Sequence, residues 1–77
     1  MKNDFIKAVS KELKLIRIEH NDLQEDLIKK SKVATSTISK YEAGEENMNI
    51  SKIAEIIKPY NISLFIFFER IIAKTQK

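Results

Sequence analysis

Residues 23–44 read LQEDLIKKSKVATSTISKYEAG. Leu23, Leu27 and Ile28 give one short helix an apolar side that ends near Ser31. Ile38 and Tyr41, three residues apart, do the same for a second helix from about Thr35 to Ala43. Gly44, the single glycine of the chain, closes that second helix, because glycine enters the left-handed conformation in which helices end without steric cost. Only three or four residues lie between the two segments, with Val33 as the one apolar side chain among them. The stretch therefore reads as two brief helices joined by a tight turn.

The flanking sequence extends this pattern. Phe5, Val9, Leu13 and Ile16 recur at intervals of 4, 4 and 3 and predict an amphipathic helix over 4–19; Ile6 widens the stripe, and Lys7, Lys11 and Lys14 fall largely on the other side. Asp22, with Glu25 three residues on, has the spacing of a capping box for the next helix. Past the polar link ENMN, Ile50, Ile53, Ala54 and Ile57 predict a fourth helix, limited by Pro59. Ser63 is a good N-cap for a last segment, LFIFFERIIAK. LFIFF alone would suit a buried strand or a helix; the continuation Ile71–Ile72–Ala73 favours a helix.

A chain of 77 residues with one glycine, one proline and no Asn-Gly pair lacks the turns an all-β domain needs, so an all-α fold is expected. At this length only about 60% of the unfolded surface is buried. There is no cysteine, so neither a disulfide nor a Cys-based metal site supports the core, and oligomerisation is the support left open. The net charge of +3 permits an anionic partner. No stretch approaches the roughly 20 apolar residues of a membrane span, and the N-terminus lacks the apolar run of a signal peptide. The expectation is one soluble, cytoplasmic domain over 1–77.

Taken together, residues 23–43 have the organisation of a helix-turn-helix, in which the first helix braces and the second enters the major groove. Ile38 and Tyr41 would anchor the second helix. Thr35, Ser36, Ser39 and Lys40 would remain on its outer face, where hydroxyls and an ammonium can bond base edges and phosphates. A solvated helix start accounts for the hydroxyls equally well when composition is all that is considered.

With these residues in view, the chain resembles the Cro/repressor-type, or XRE, helix-turn-helix regulators. The matching positions are Gln24-Glu25-Asp26-Leu27, Lys30-Ser31, Val33, Thr37-Ile38-Ser39, Glu42-Ala43-Gly44, Ile53-Ala54 and Asn61-Ile62-Ser63, so the likeness spans about residues 11–68. NMNISKIAEII and SLFIFFERII look most like the small controller proteins of restriction-modification systems. The resemblance implies a five-helix, lambda-repressor-like domain that binds double-stranded DNA and regulates transcription. It implies base contacts from Thr35, Ser36 and Lys40, and backbone contacts from Gln24, Thr37 and Ser39; Lys32, beside the reading helix, is expected to add its charge at the phosphate backbone. It also implies a structural pair, Arg17 with Glu42, tying the first helix to the reading helix.

The sequence departs from that pattern at several positions. Lys32 stands where the turn usually has glycine, and Ala34 where the reading helix usually has a Ser or Thr cap. Ile28 replaces a small residue at the helix crossing, and Leu23 replaces a polar residue that often meets phosphate. Glu45 and Glu46 fall where relatives carry basic residues. Tyr41 reads as core, and His20, the only histidine, as surface. Asp22, Glu25 and Asp26 have no nucleophile or metal ligand beside them. No cofactor, small-molecule ligand or enzymatic chemistry is expected.

The segment 64–74 is apolar except for Glu69, Arg70 and Lys74. A helix apolar most of the way round must be covered on more than one side. Phe65, Phe68 and Ile72 are therefore expected at a two-fold homodimer interface, with core filling as the plainer account of part of the set. Such a dimer would bind a palindromic operator. The alternative is a protein-interaction module that uses the same fold through this hydrophobic helix.

Overall fold

The computed structural model describes residues 2–44 and 48–75. Five α-helices follow one another: α1 (Lys2–Glu19), α2 (Gln24–Ser31), α3 (Thr35–Ala43), α4 (Ile50–Ile57) and α5 (Leu64–Thr75), with a 3-10 turn at Lys58–Tyr60 between the last two. No strand occurs among the described residues. Glu45 and Glu46 lie outside them.

The core takes a few side chains from each helix. Val9, Leu13 and Ile16 of α1 meet Leu27 of α2, Val33 of the turn, and Ile38 and Tyr41 of α3; Ile53, Ile56 and Ile57 of α4, Tyr60, and Phe67 and Ile71 of α5 complete it. Each of the larger aliphatic and aromatic groups contributes roughly 1.5–3 kcal/mol by leaving water. The expected apolar stripes of α1 and α4 supply Val9, Leu13, Ile16, Ile53 and Ile57 of this set. The last segment is a helix, and no helix among the described residues is long and apolar enough to cross a membrane.

Three residues expected to point inward do not. Leu23 is 63% and Ile50 59% exposed. Both stand at the start of a short helix, at the rim of the core, where the apolar periodicity continues but no neighbouring helix covers it. Phe5 is about half exposed, although its ring stacks on Phe68 at 6.0 Å between centroids.

The start of α2 also differs from expectation. The capping residue is Leu23, not Asp22, and its N–H donates to the Asp26 carboxylate at 2.8 Å. A leucine has no acceptor to return, so only the reciprocal half of a capping box is built, one residue later than the sequence suggests. Asp22 is engaged elsewhere: Lys30 Nζ approaches its carboxylate at 2.7 Å and the Tyr60 hydroxyl donates to it at 2.8 Å. Asn21, in the left-handed region at φ 58°, turns the chain just before it.

The remaining caps follow side-chain chemistry closely. Asn49 accepts from the N–H groups of Ser51 (2.7 Å) and Lys52 (3.3 Å), starting α4 from within the stretch read as a polar link. Ser63 Oγ accepts from Ile66 N–H at 3.2 Å and starts α5. The Tyr41 hydroxyl, at the edge of the core, accepts from Asn49 N–H at 2.8 Å.

Helices α1 and α5 are joined by an ion cluster absent from the expectations. Glu12 is only 3% exposed and accepts from Arg70 Nε at 2.6 Å and Lys74 Nζ at 2.7 Å. Arg70 reaches Glu19 as well, at 3.0 and 3.1 Å, and this hydrogen bonding holds the Glu19 carboxyl below its usual range. A buried carboxylate is tolerated only when paired and hydrogen-bonded. The sequence signal was Glu12 itself, a carboxylate within the apolar side of α1.

Candidate nucleic-acid interface

The turn between α2 and α3 decides how the second helix projects. Lys32 takes the left-handed conformation, φ 62°, ψ 19°, and its N–H donates to Ile28 carbonyl at 2.8 Å. The geometry a glycine would supply is thus adopted by lysine, at a cost on the order of 1 kcal/mol. Ser31 stitches the turn: its hydroxyl donates to Leu27 carbonyl at 2.8 Å and accepts from Val33 N–H at 3.2 Å. Ala34 occupies the N-cap of α3 with no side-chain cap bond. At the far end Gly44, at φ 87°, closes α3.

Ile38 and Tyr41 are buried and fix one face of α3, while Thr35, Ser36 and Lys40 are exposed on the other. Thr37 and Ser39 are half-buried at its margins. The structure thus brings the three expected base-reading residues together on one open face.

A polar network locks α3 onto α1 and α2. Arg17 Nε donates to Glu42 Oε2 at 2.8 Å and Nη2 to Oε1 at 3.0 Å. The third guanidinium nitrogen, Nη1, donates to the Asp22 carbonyl at 2.8 Å. The hydrogen-bonded Glu42 carboxylate raises the pKa of Arg17. Gln24 Nε2 donates to Glu42 Oε1 at 3.0 Å, and Ser39 Oγ donates to Gln24 Oε1 at 3.2 Å. Gln24 and Ser39 therefore brace the motif from inside it, a role without a direct sign in the residue order. Their positions at the start of α2 and on α3 keep them beside the exposed face.

Around this frame lie lysines of two kinds. Lys30 pairs with Asp22 and stands over the Tyr60 ring, 5.6 Å from its centroid. Lys29, Lys32 and Lys40 are exposed and form no ion pair among the described residues. His20 is exposed, packs tilted against Tyr60 with centroids 4.4 Å apart, and its Nδ1 lies 2.7 Å from Ile16 carbonyl. No group of three or more His, Cys, Asp or Glu residues suited to a metal occurs among the described residues.

Residues 13–67 match the family model described as helix-turn-helix. The wild-type restriction-modification controller protein C.Esp1396I is 35% identical, with 94% of this chain and 95% of that one covered and a TM-score of 0.81. The chain belongs to the helix-turn-helix family, in its restriction-modification controller group. The C.Esp1396I tetramer in complex with its natural 35 base-pair operator is similar at a TM-score of 0.80 and 35% identity, covering 90% of this chain and 91% of that one. A point mutant of the same controller superposes at 0.83 with 34% identity, covering 96% of this chain and 94% of that one. A comparison with curated proteins gives no match. The all-α, five-helix fold and the XRE-type helix-turn-helix read from the sequence are both upheld. The family and these structural relatives are DNA-binding regulators rather than enzymes.

Proposed function

We propose that this chain binds a palindromic operator in double-stranded DNA as a homodimer and regulates transcription of a restriction-modification operon. The observation that carries the reading is the divided surface of α3. Ile38, Tyr41 and the Arg17–Glu42–Gln24 network hold one side, and Thr35, Ser36 and Lys40 stand open on the other. In the major groove, Lys40 suits guanine O6 and N7, and the hydroxyls suit either a donor or an acceptor at a base edge. Thr37, Ser39, Gln24 and Lys32 border this face and are assigned to the sugar-phosphate backbone, with Lys32 carrying its charge on the turn itself. The operator complex of the C.Esp1396I tetramer supports DNA as the partner.

The dimer is assigned to α5. Phe65 is 72% and Ile72 53% exposed, and the two lie seven residues apart on one side of that helix. Phe68 is half-buried against Phe5 and Phe67, so it forms the floor of this patch rather than its tip. A two-fold axis through α5 would set two copies of α3 about 34 Å apart, one turn of B-DNA. Occupying a site beside a promoter then either blocks or recruits polymerase.

Selection of bound sequences from random duplex DNA tests the reading. The expected product is a palindrome with half-sites one helical turn apart, bound with an affinity that falls steeply as salt rises. Recovery of no enriched sequence would overturn it. Sedimentation should show a dimer at tens of micromolar (the order at which a modest interface of this kind is populated), and a monomer there would overturn the α5 assignment.

A further inference from the structure

A groove of about 680 Å³ runs between α1 and α5, away from both surfaces described above. Ala8, Leu15 and Ile71 form its apolar floor, and Ile18, half exposed, adds an apolar side chain at the edge. Lys7, Lys11 and Lys14 line one rim at intervals of 4 and 3, a single stripe along α1. These three make no ion pair among the described residues. Lys74 stands on the other rim beside Glu12, whose carboxylate it shares with Arg70. Asp4 closes one end.

The placement of this groove matters. At 3.6 residues per turn, Leu15 lies across α1 from Arg17, which faces α3 through Glu42, and Lys11 and Ile18 lie about a third of a turn from Arg17. On α5 the groove takes Ile71 and Lys74, whereas Phe65 lies across the helix from Lys74 and Ile72 about a quarter of a turn from Ile71. A chain with α3 on DNA and Phe65 against a second copy would still present the groove to solvent. Neither assigned activity uses the lysine stripe.

We propose that this groove receives an acidic amphipathic helix of a partner protein. From Asp4 to Ile18, α1 extends about 21 Å, enough for roughly four turns of a second helix laid alongside it. The apolar floor accepts side chains at i, i+4 and i+7 of that helix, and the lysine rim accepts glutamates or aspartates flanking them. The floor distinguishes this surface from a phosphate track, which needs cations but no aliphatic bed. Opposite charge on the rim selects the partner and speeds its approach. The groove thereby couples a DNA-bound chain to a second protein without displacing either α3 or α5.

The test uses the full chain and four labelled peptides of about fifteen residues. One has a leucine stripe flanked by glutamate, a second the same stripe flanked by lysine. A third keeps the glutamates and replaces the leucines by serine, and a fourth is a scramble of the first. Fluorescence anisotropy should show the first binding at least about tenfold more tightly than the other three, because both charge and stripe are needed. In 15N-labelled chain the amide shifts should move at Ala8, Leu15, Ile18 and Ile71. Lys11→Glu with Lys14→Glu should weaken the first peptide about tenfold or more, as should Ile18→Ser alone. All three positions are exposed, so thermal melts monitor an unchanged fold. Equal binding of the glutamate and lysine peptides, or wild-type affinity in both variants, would overturn the proposal. So would two other results: amide shifts at Lys7, Lys11 and Lys14 on adding random duplex DNA to the parent chain, which makes the rim a nucleic-acid surface, or altered sedimentation of the charge-reversed chain, which makes it a self-association surface.

Discussion

Arg17 and Glu42, 25 residues apart in the chain, meet fork to fork between α1 and α3, with both N···O distances at or under 3.0 Å. Their side chains are 10% and 6% exposed. This contact fixes the angle at which α3 leaves the body, because the same carboxylate holds Gln24 at the start of α2. It also makes the pair a stability element distinct from the reading face.

Removing either partner should therefore be costly. Arg17→Ala leaves a nearly buried carboxylate without its cation, for a loss of about 3 kcal/mol, the lower end of the range for breaking buried pairs. Arg17→Lys should recover little of it, since an ammonium cannot form the two parallel bonds. Urea titrations of Arg17→Ala, Glu42→Gln and the double variant measure the coupling. Additive losses would show that the two residues act separately.

The reading face should behave in the opposite way. Ser36→Ala with Lys40→Ala removes exposed groups that anchor nothing in the fold. Surface changes of this kind alter stability by less than about 0.5 kcal/mol, while deleting a side chain that bonds a base edge weakens specific binding by about 1–3 kcal/mol. Gel-shift titrations on the selected operator should show this weakening, with nonspecific affinity largely retained. Unchanged operator affinity would reassign the face.

The turn offers a gain of stability. Lys32→Gly relieves a left-handed non-glycine residue, a relief of on the order of 1 kcal/mol partly offset by the greater freedom of glycine in the unfolded chain. Ala34→Ser supplies the missing cap of α3 and should add about 1 kcal/mol. Thermal melts should rise for each variant alone. As the two positions are close, their effects need not add. A lower melting temperature for Lys32→Gly would mean that its lysine side chain contributes more than its backbone strain costs.

Acid should loosen the junction of α2 with the Lys58–Tyr60 turn. Lys30, and then the Tyr60 hydroxyl, hold the Asp22 carboxyl below its ordinary value. Burial and the Asp22 hydrogen bond push the Tyr60 hydroxyl up. A carboxyl depressed by folding contributes stability that is complete above its unfolded pKa of about 4 and is lost as pH falls through the lower folded value. Asp22→Asn should thus be less stable than the parent at neutral pH and converge with it below about pH 4. Denaturant midpoints that stay equally separated down to about pH 2 would show that this carboxyl is not responsible.

Much of this molecule is legible in its residue order. The stripes Val9–Leu13–Ile16 and Ile53–Ile57 and the closing glycine at 44 mark helices by spacing and backbone freedom alone. Ser63 and the outer hydroxyls of α3 are legible for the same reason, since caps and amphipathic faces are set within one or two turns. Asp22 and Glu25 mislead because they carry the capping signal while the cap falls one residue later, at Leu23, where Asp26 accepts from the Leu23 N–H and no capping side chain answers it. The choice of start rests on Tyr60 and Lys30, which bind Asp22 from distant and later parts of the chain. Leu23 and Ile50 mislead because periodicity shows which side of a helix is apolar but not where its neighbour stops.

By itself, then, the sequence determined the helices, the helix-turn-helix and the two faces of α3, all local consequences of side-chain type and spacing. Tertiary structure alone decided that lysine would take the left-handed turn at 32, that Gln24 would join Glu42 and Ser39, and that Glu12 would be buried beneath Arg70 and Lys74. Each of these depends on groups brought together from 15 to 62 residues apart or on a backbone held by its surroundings. Such contacts form only when the packed core has fixed where every helix lies, because a buried charge or a strained dihedral is stable only where the rest of the fold holds its partner in reach.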